Sequence, residues 1–198
     1  YGIREHRYVG ETKPHAIDIS SASMERDPAK CILCGRCVRV CHEVQKVGAI
    51  DFTKRGFTSI VTTPYNKGLN VSDCILCGQC ILVCPTAALR EKSAVKEVAN
   101  AIYNRKKYCI AQVAPAVRAS LGEEYNMPLG TDVTGLLVTG LRRLGFKKVF
   151  DTNFAADLTI MEEATELINR VQNGGSLPMF TSCCPGWVKY VEMNRPEV

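Results

Sequence analysis

Cys31-Ile32-Leu33-Cys34-Gly35-Arg36-Cys37 returns later in the chain as Cys74-Ile75-Leu76-Cys77-Gly78-Gln79-Cys80. Each copy gains a fourth cysteine after three intervening residues, Cys41 and Cys84. Both therefore read C-x-x-C-x-x-C-x-x-x-C, and the second is followed by Pro85. Every cysteine of the second copy lies 43 positions after its counterpart, the signature of a duplicated structural unit. The chain has eleven cysteines: these eight, an isolated Cys109, and the adjacent pair Cys183 and Cys184. An odd count rules out a complete intramolecular disulfide framework. Tight, repeated C-x-x-C spacing points instead to metal thiolates in a reducing compartment.

The spacing carries its own chemistry. Three cysteines two residues apart wrap a tight loop around one iron–sulfur cubane. The fourth sits on the short helix that follows and faces the other cluster, as in two-cluster ferredoxins. Cys31, Cys34, Cys37 and Cys84 are thereby assigned to one 4Fe–4S cluster, and Cys74, Cys77, Cys80 and Cys41 to the other. Zinc also takes four cysteines, but commonly as two C-x-x-C pairs rather than a run of three with a displaced fourth. The pattern closely resembles bacterial-type ferredoxins, with one departure: His42 follows Cys41 where such proteins usually have proline. Between the copies, residues 49–52 and 57–61 are expected to form a hairpin turned by Lys54-Arg55-Gly56, and residues 88–90 a closing strand. The expected α+β ferredoxin-like domain covers residues 27–92. Residues 1–26 form an extended lead-in, with apolar alternation at Ile17 and Ile19.

Composition sets the outer bounds. The 198 residues are 46% hydrophobic and 23% charged, enough apolar material for a folded core. No apolar run approaches the length of a membrane span, and no signal peptide is visible. The chain begins at Tyr1 rather than Met, which is read as a processed product or a piece of a longer protein. The formal net charge is +5. Two cubanes with their thiolates, about −2 each, would bring that to roughly +1, so the basic balance does not point to nucleic acid. Arg105-Lys106-Lys107, Arg142-Arg143 and Lys147-Lys148 are short and dispersed, as on a solvated surface.

From Ser93 the pattern changes to α/β. Ala94, Val95, Val98 and Ile102 fall at helical spacing, and the helix ends near Arg105–Lys107. Residues 108–113 form a continuous apolar run suited to a buried parallel strand, followed by Pro115 at a first helical turn. Thr131 or Asp132 can cap a helix running to Leu144, with Gly145 just beyond. Residues 148–151 are expected as a second strand. Ile160, Ala164, Leu167, Ile168 and Val171 stripe a long helix ended by Asn173-Gly174-Gly175, and residues 178–180 are expected as a third strand. Alternating strands and helices predict a parallel sheet with helical crossovers, here a partial α/β domain over residues 93–198. Thr181-Ser182-Cys183-Cys184-Pro185-Gly186-Trp187 then follows at a strand's carboxyl end, where open α/β sheets place ligands. Pro185 starts a helix whose dipole favours a thiolate at its N-terminus.

This segment resembles the first signature of the iron-only (FeFe) hydrogenases, T-S-C-C-P-x-W. Ala114-Pro115-Ala116-Val117-Arg118 and residues 159–167 (T-I-M-E-E-A-T-E-L) support the resemblance, which extends over nearly the whole chain. It implies that Cys184 ligates the 4Fe–4S half of a catalytic H-cluster, and that Cys183 donates protons to its two-iron half. A free thiol titrates near ~8.5, so it gives and regains protons at moderate cost near neutrality. Glu163, Glu166 and Arg170 share one helix face at i, i+3 and i+7, and the resemblance implies that they relay protons from solvent to Cys183. It places Ala114, Pro115 and Ala116 beside the two-iron subcluster, with the Ala116 N–H as donor because proline has none. The implied reaction is the reversible reduction of protons to hydrogen, with electrons passing through the two ferredoxin-type clusters. The implied redox partner is a ferredoxin or a nicotinamide-linked diaphorase subunit. The charge balance and apolar runs predict no nucleic-acid partner and no membrane span, and the free thiols with no visible signal peptide predict the cytoplasm.

The family's H-cluster cubane takes four cysteines, and this chain contributes Cys184 alone. Cys109 matches no ligand motif and is expected to be structural; His6, His15 and His42 have no ligand-spaced partners and are expected at the surface. The chain is accordingly expected to be a piece of a longer hydrogenase, or to have its remaining H-cluster ligands on another chain. The alternatives are a non-catalytic two-cluster electron carrier and a hydrogenase-like iron–sulfur assembly factor.

Overall fold

A computed structural model describes every residue except 1, 3, 6, 8, 9, 11–14, 105 and 198. Part of the lead-in, His6 and Arg105 thus lie outside the described residues. The chain divides into two units: Tyr1–Lys92 together with Ser182–Val198, and Ser93–Thr181.

In the first unit the duplication is visible in the backbone. Each C-x-x-C-G-x-C loop turns through two left-handed residues, Leu33 (φ 56°) and Gly35 (φ 71°) in one copy, Leu76 (φ 61°) and Gly78 (φ 72°) in the other. Two left-handed residues so close together curl the chain tightly, which turns the three cysteine side chains toward one centre. A side chain at Gly35 would also meet the Phe52 ring at 3.2 Å. Each glycine then starts a one-turn helix, α1 (Arg36–Arg39) and α2 (Gln79–Leu82). A π-helical turn over Val40–Val44 extends α1 and carries Cys41.

The strands are short and meet in pairs. In the first unit β1 (Met24–Arg26) pairs antiparallel with β4 (Leu89–Glu91), so the lead-in and the closing strand meet. The expected hairpin forms as β2 (Asp51–Thr53) and β3 (Ile60–Thr62), with Phe52 opposite Val61. Met24, Cys37, Val38, Ile50, Val61, Leu69 and Leu89 form the core, and Cys31, Cys41, Cys74, Cys80 and Cys84 pack against it. Met24 and Leu69 are each 1% exposed; complete burial of such a side chain stabilises by about 1.5–3 kcal/mol. Ile17 and Ile19, by contrast, lie exposed, and the lead-in docks through Asp18, whose backbone bridges Arg26.

The second unit is mixed α/β around a small parallel sheet. It contains α3 (Val95–Tyr103), β5 (Ile110–Val113), α4 (Pro115–Ser120), α5 (Thr134–Leu144), β6 (Lys148–Asp151) and α6 (Thr152–Asn173). β5 and β6 pair in parallel, Ile110 opposite Lys148. Pro115 opens α4, Gly145 closes α5 in the left-handed region, and Asp151 caps α6 by accepting from the Asn153 N–H. The expected third strand, residues 178–180, does not form. Proline supplies no N–H to a ladder, and this three-residue run has no strand partner among the described residues. The sheet therefore has two strands, and residues 108–113 are not buried as expected: Ile110 is 53% exposed. The stripe of α6 is likewise uncovered at Ile160, Leu167, Ile168 and Val171. No helix of the described residues is long and apolar enough to cross a membrane.

The last helix, α7 (Pro185–Asn194), groups with the first unit. Lys189 donates from Nζ to the Cys74 carbonyl oxygen at 2.6 Å.

Candidate metal centres

The two loops and the two short helices bring the eight repeat cysteines into two cavities. Cys31, Cys34, Cys37 and Cys84 line one, with Arg26, Asp27 and Val61 among the other walls. Cys41, Cys74, Cys77 and Cys80 line the other, with Met24, Ile50 and Leu69. Each cavity thus draws three cysteines from one repeat and the fourth from the other. Four cysteines lining one cavity are a donor set that suits a 4Fe–4S cluster.

The donor chemistry fits such a group. Burial and neighbouring cysteines push the Cys37 thiol up to about 11 and the Cys80 thiol up to about 12. Burial raises Cys74 as well. Thiolates in these positions are costly unless a cationic metal core compensates them. At Cys84 burial also raises the pKa, but N–H groups from Leu89 and Thr86 outweigh it and pull the thiol down. Backbone N–H groups are already aimed at other sulfurs: Leu33 at Cys31 Sγ (3.4 Å) and Ala49 at Cys41 Sγ (3.3 Å). Such N–H···S contacts stabilise the negative charge of a thiolate cluster. His42, in place of the usual proline, lies 3.6 Å from Asp51 and under Gly48.

The adjacent cysteines occupy the start of α7. Cys184 is its N-cap, and its Sγ accepts from the Trp187 N–H at 3.4 Å. Its own N–H donates to Ser182 Oγ at 3.1 Å, which fixes the approach to the helix. Cys183 and Cys184 are both exposed. The buried Gly186 explains how this helix start reaches the second cavity. A Cβ there would lie 3.1 Å from the Ile75 carbonyl oxygen, 3.8 Å from Cys184 Sγ and 3.9 Å from Cys77 Cα. Cys184 Sγ is therefore less than about 8 Å from Cys77 Cα. The glycine lets helix and loop touch, and Lys189 secures the contact at Cys74. Replacing Lys189 with methionine keeps the alkyl stem and removes the charged donor, a contact worth about 1.5–3 kcal/mol. Amide exchange across residues 185–194 should then accelerate about tenfold or more. Unchanged exchange would mean that Lys189 does not hold the helix.

In the second unit, Glu163 is half-buried on α6 and Glu166 is exposed. Glu166 Oε1 accepts from Arg170 Nε at 3.0 Å, one helical turn away, and Arg170 Nη1 also reaches the Ser176 carbonyl oxygen at 3.3 Å. Two of the three expected relay residues are thus in contact. Ala114 is the N-cap of α4, and Pro115 and Ala116 form its first turn, all at the carboxyl end of β5. Cys109 is partly buried, immediately before β5.

Sequence reasoning passed over two residues. Arg26 lies in the wall of the first cavity, and Lys189 contacts the loop of the second. Neither belongs to a motif, and their roles depend on a strand pairing and a helix docking that spacing does not show.

Comparison with known proteins gives concordant results. Residues 107–198 match the family model "Iron only hydrogenase large subunit, C-terminal domain", and residues 30–88 match "4Fe-4S dicluster domain". The chain is 50% identical over 191 residues to Iron hydrogenase 1 of Clostridium pasteurianum, an alignment covering 96% of this chain and 33% of that protein. It is 47% identical over 204 residues to the NADP-reducing hydrogenase subunit HndD of Solidesulfovibrio fructosivorans, covering 100% of this chain and 35% of that one. A solved structure of [FeFe]-hydrogenase HydA1 from Chlamydomonas reinhardtii is similar at 43% identity and a TM-score of 0.47, covering 53% of this chain and 28% of that one. The chain spans about a third of the length of the Clostridium and Solidesulfovibrio proteins.

Proposed function

We propose that this chain, a member of the iron-only hydrogenase large-subunit family with a 4Fe–4S dicluster domain ahead of part of that family's C-terminal domain, is the electron-entry and proton-delivery portion of an enzyme that reversibly reduces protons to hydrogen. The observation that carries this reading is the seam at Gly186, where Cys184 Sγ lies less than about 8 Å from Cys77 Cα of the second cysteine loop.

The residues present fit two cubanes. Cys31, Cys34, Cys37 and Cys84 would hold one, and Cys74, Cys77, Cys80 and Cys41 the other. When bound, each supplies a site that accepts one electron and passes it on. For a catalytic cluster this chain offers one thiolate, Cys184. What the protein does for electrons is to fix distances. The two cavities share a core, and the α7 start touches the second loop, so a relay can run from the first site through the second to Cys184.

Protons need titratable groups. Cys183 is exposed beside Cys184, where its thiol can give up one proton and take another. Glu163 and Glu166 would resupply it, with the Arg170 guanidinium holding the Glu166 carboxylate in one orientation. Each catalytic cycle consumes two protons and two electrons and forms one molecule of hydrogen. HndD is a subunit of an NADP-reducing hydrogenase, so a nicotinamide-linked diaphorase is one candidate redox partner for this chain, and a ferredoxin is the other.

One observation favours a second reading, a two-cluster electron carrier: eight of the nine expected metal-ligating cysteines serve the dicluster. Iron content and hydrogen evolution from a reduced dye, measured on the same anaerobic preparation of the native polypeptide, separate the two. More than about eight irons with hydrogen evolution supports the enzyme. About eight irons without it supports the carrier.

A further inference from the structure

Among the described residues, one buried side-chain nitrogen or oxygen has no hydrogen-bond partner: Arg26 Nε. Arg26 is 6% exposed, an unusual burial for a guanidinium. Its other nitrogens are engaged. Nη1 donates to the Val61 carbonyl oxygen at 3.0 Å, and Nη2 donates to Asn66 Oδ1 at 3.4 Å and lies 3.7 Å from Asp18 Oδ2. These contacts pin the plane of the group and leave Nε as its one nitrogen without a partner. Arg26 lines the same cavity as Cys31, Cys34, Cys37 and Cys84, and its charge interacts with Cys31. An orphaned buried donor costs free energy unless the site supplies an acceptor. A cubane between these four cysteines would present sulfur acceptors and net negative charge.

We propose that Arg26 is a positioning residue for electron transfer. Its buried charge and unpaired Nε–H raise the reduction potential of the cluster held by Cys31, Cys34, Cys37 and Cys84 relative to that of its pseudo-symmetric twin. The physical reason is simple. Adding one electron makes the cluster more negative, and a fixed cation stabilises the reduced form more than the oxidised one. The duplication makes the asymmetry plain. The position 43 residues after Arg26 is Leu69, a wall of the second cavity with no charge. Asp27 also lines the first cavity, with Lys30 3.9 Å from its carboxylate, and the partly buried Lys189 donates to the Cys74 carbonyl oxygen beside the second; Arg26 is the buried cation, and it sets the sign of the difference.

Asp18 makes the proposal testable by sign. Its carboxylate accepts from the N–H groups of Ser20 (3.0 Å) and Leu69 (3.1 Å), and it partly neutralises Arg26. Asp18→Asn keeps an acceptor and removes the negative charge, so it should raise the potential of the first cluster. Arg26→Gln should lower it, and Arg26→Lys should fall between Arg26→Gln and the native protein.

The inference rests on the two-cluster reading given above, and potentiometric electron paramagnetic resonance on the full, cluster-loaded protein separates their failures. A native preparation without two cubane signals would sink the two-cluster reading. With both signals present, Arg26→Gln is expected to shift the reduced-to-oxidised ratio of the first cluster about tenfold toward oxidised at fixed potential, about 59 mV for a one-electron couple. The second cluster should not move. If Arg26→Gln does not retain its cluster, Asp18→Asn decides alone, and a shift toward oxidised or no shift overturns the proposal. Equal displacement of both clusters by Arg26→Gln also overturns it.

Discussion

Cys84→Ala is expected to abolish the cluster of the first cysteine loop and spare that of the second, while Cys41→Ala does the reverse. Each variant should fall from about eight irons per chain to about four. The loss should be complete because the fourth cysteine of each repeat faces the other repeat's cavity. Cys84 shares its cavity with Cys31, Cys34 and Cys37, and Cys41 shares its own with Cys74, Cys77 and Cys80. Alkylation of cluster-loaded Cys84→Ala, read by peptide mass spectrometry, should label Cys31, Cys34 and Cys37 and leave Cys74, Cys77 and Cys80 protected. Labelling of Cys74, Cys77 and Cys80 instead would mean that each repeat closes on itself. The fold should also weaken, since Cys37 belongs to the apolar core and cysteines of both loops pack against it. Losing either cluster removes a cross-link between core elements that are otherwise strands of three residues and helices of four.

The dicluster half was legible because its spacing leaves little freedom. C-x-x-C-G-x-C demands a tight curl, and the left-handed Leu33, Gly35, Leu76 and Gly78 supply it. The hairpin and the closing strand lie within a few residues of their expected starts, since turn residues and β-branched runs are local signals. What spacing could not show was the partner of the closing strand. It is β1, which ends in the charged pair Glu25 and Arg26 and has too little alternation to read as a strand. Arg90 stabilises that pairing by donating to Glu25 at 2.9 Å. In the second unit Pro115, Gly145 and Gly174 mark helix ends where the sequence places them. The third strand failed for a different reason. Residues 178–180 are apolar enough for a strand, but a strand exists only through its neighbour's donors and acceptors. The burial of β5 failed likewise, because a two-stranded sheet cannot cover its own faces. The seam at Gly186 was beyond sequence reasoning altogether. It joins residues about a hundred positions apart in the chain, and its signal is a missing side chain.

On the proposed function, replacing Cys183 with alanine in the full-length protein should cut hydrogen turnover by about 10²–10⁴-fold, the span that a positioned proton donor contributes. Iron content and cluster signals should stay unchanged. The division of labour between the two adjacent cysteines explains why. Cys184 is bound into the helix cap, its Sγ accepting from the Trp187 N–H and its N–H held by Ser182. Cys183 lies outside the helix and is exposed, so its loss removes no cap and no core contact. A purely structural role would show as iron loss or a lowered melting temperature, with turnover falling in proportion. A proton-delivery role separates the two readouts. Glu163→Gln should follow the same pattern, because glutamine fills the same half-buried space on α6 without a transferable proton. Glu166→Gln should do so too, while weakening the hold of Arg170. Cys183→Ala turning over within about threefold of the native rate would remove this thiol from the proton path. The two glutamates would then be an ordinary charged face of a long helix.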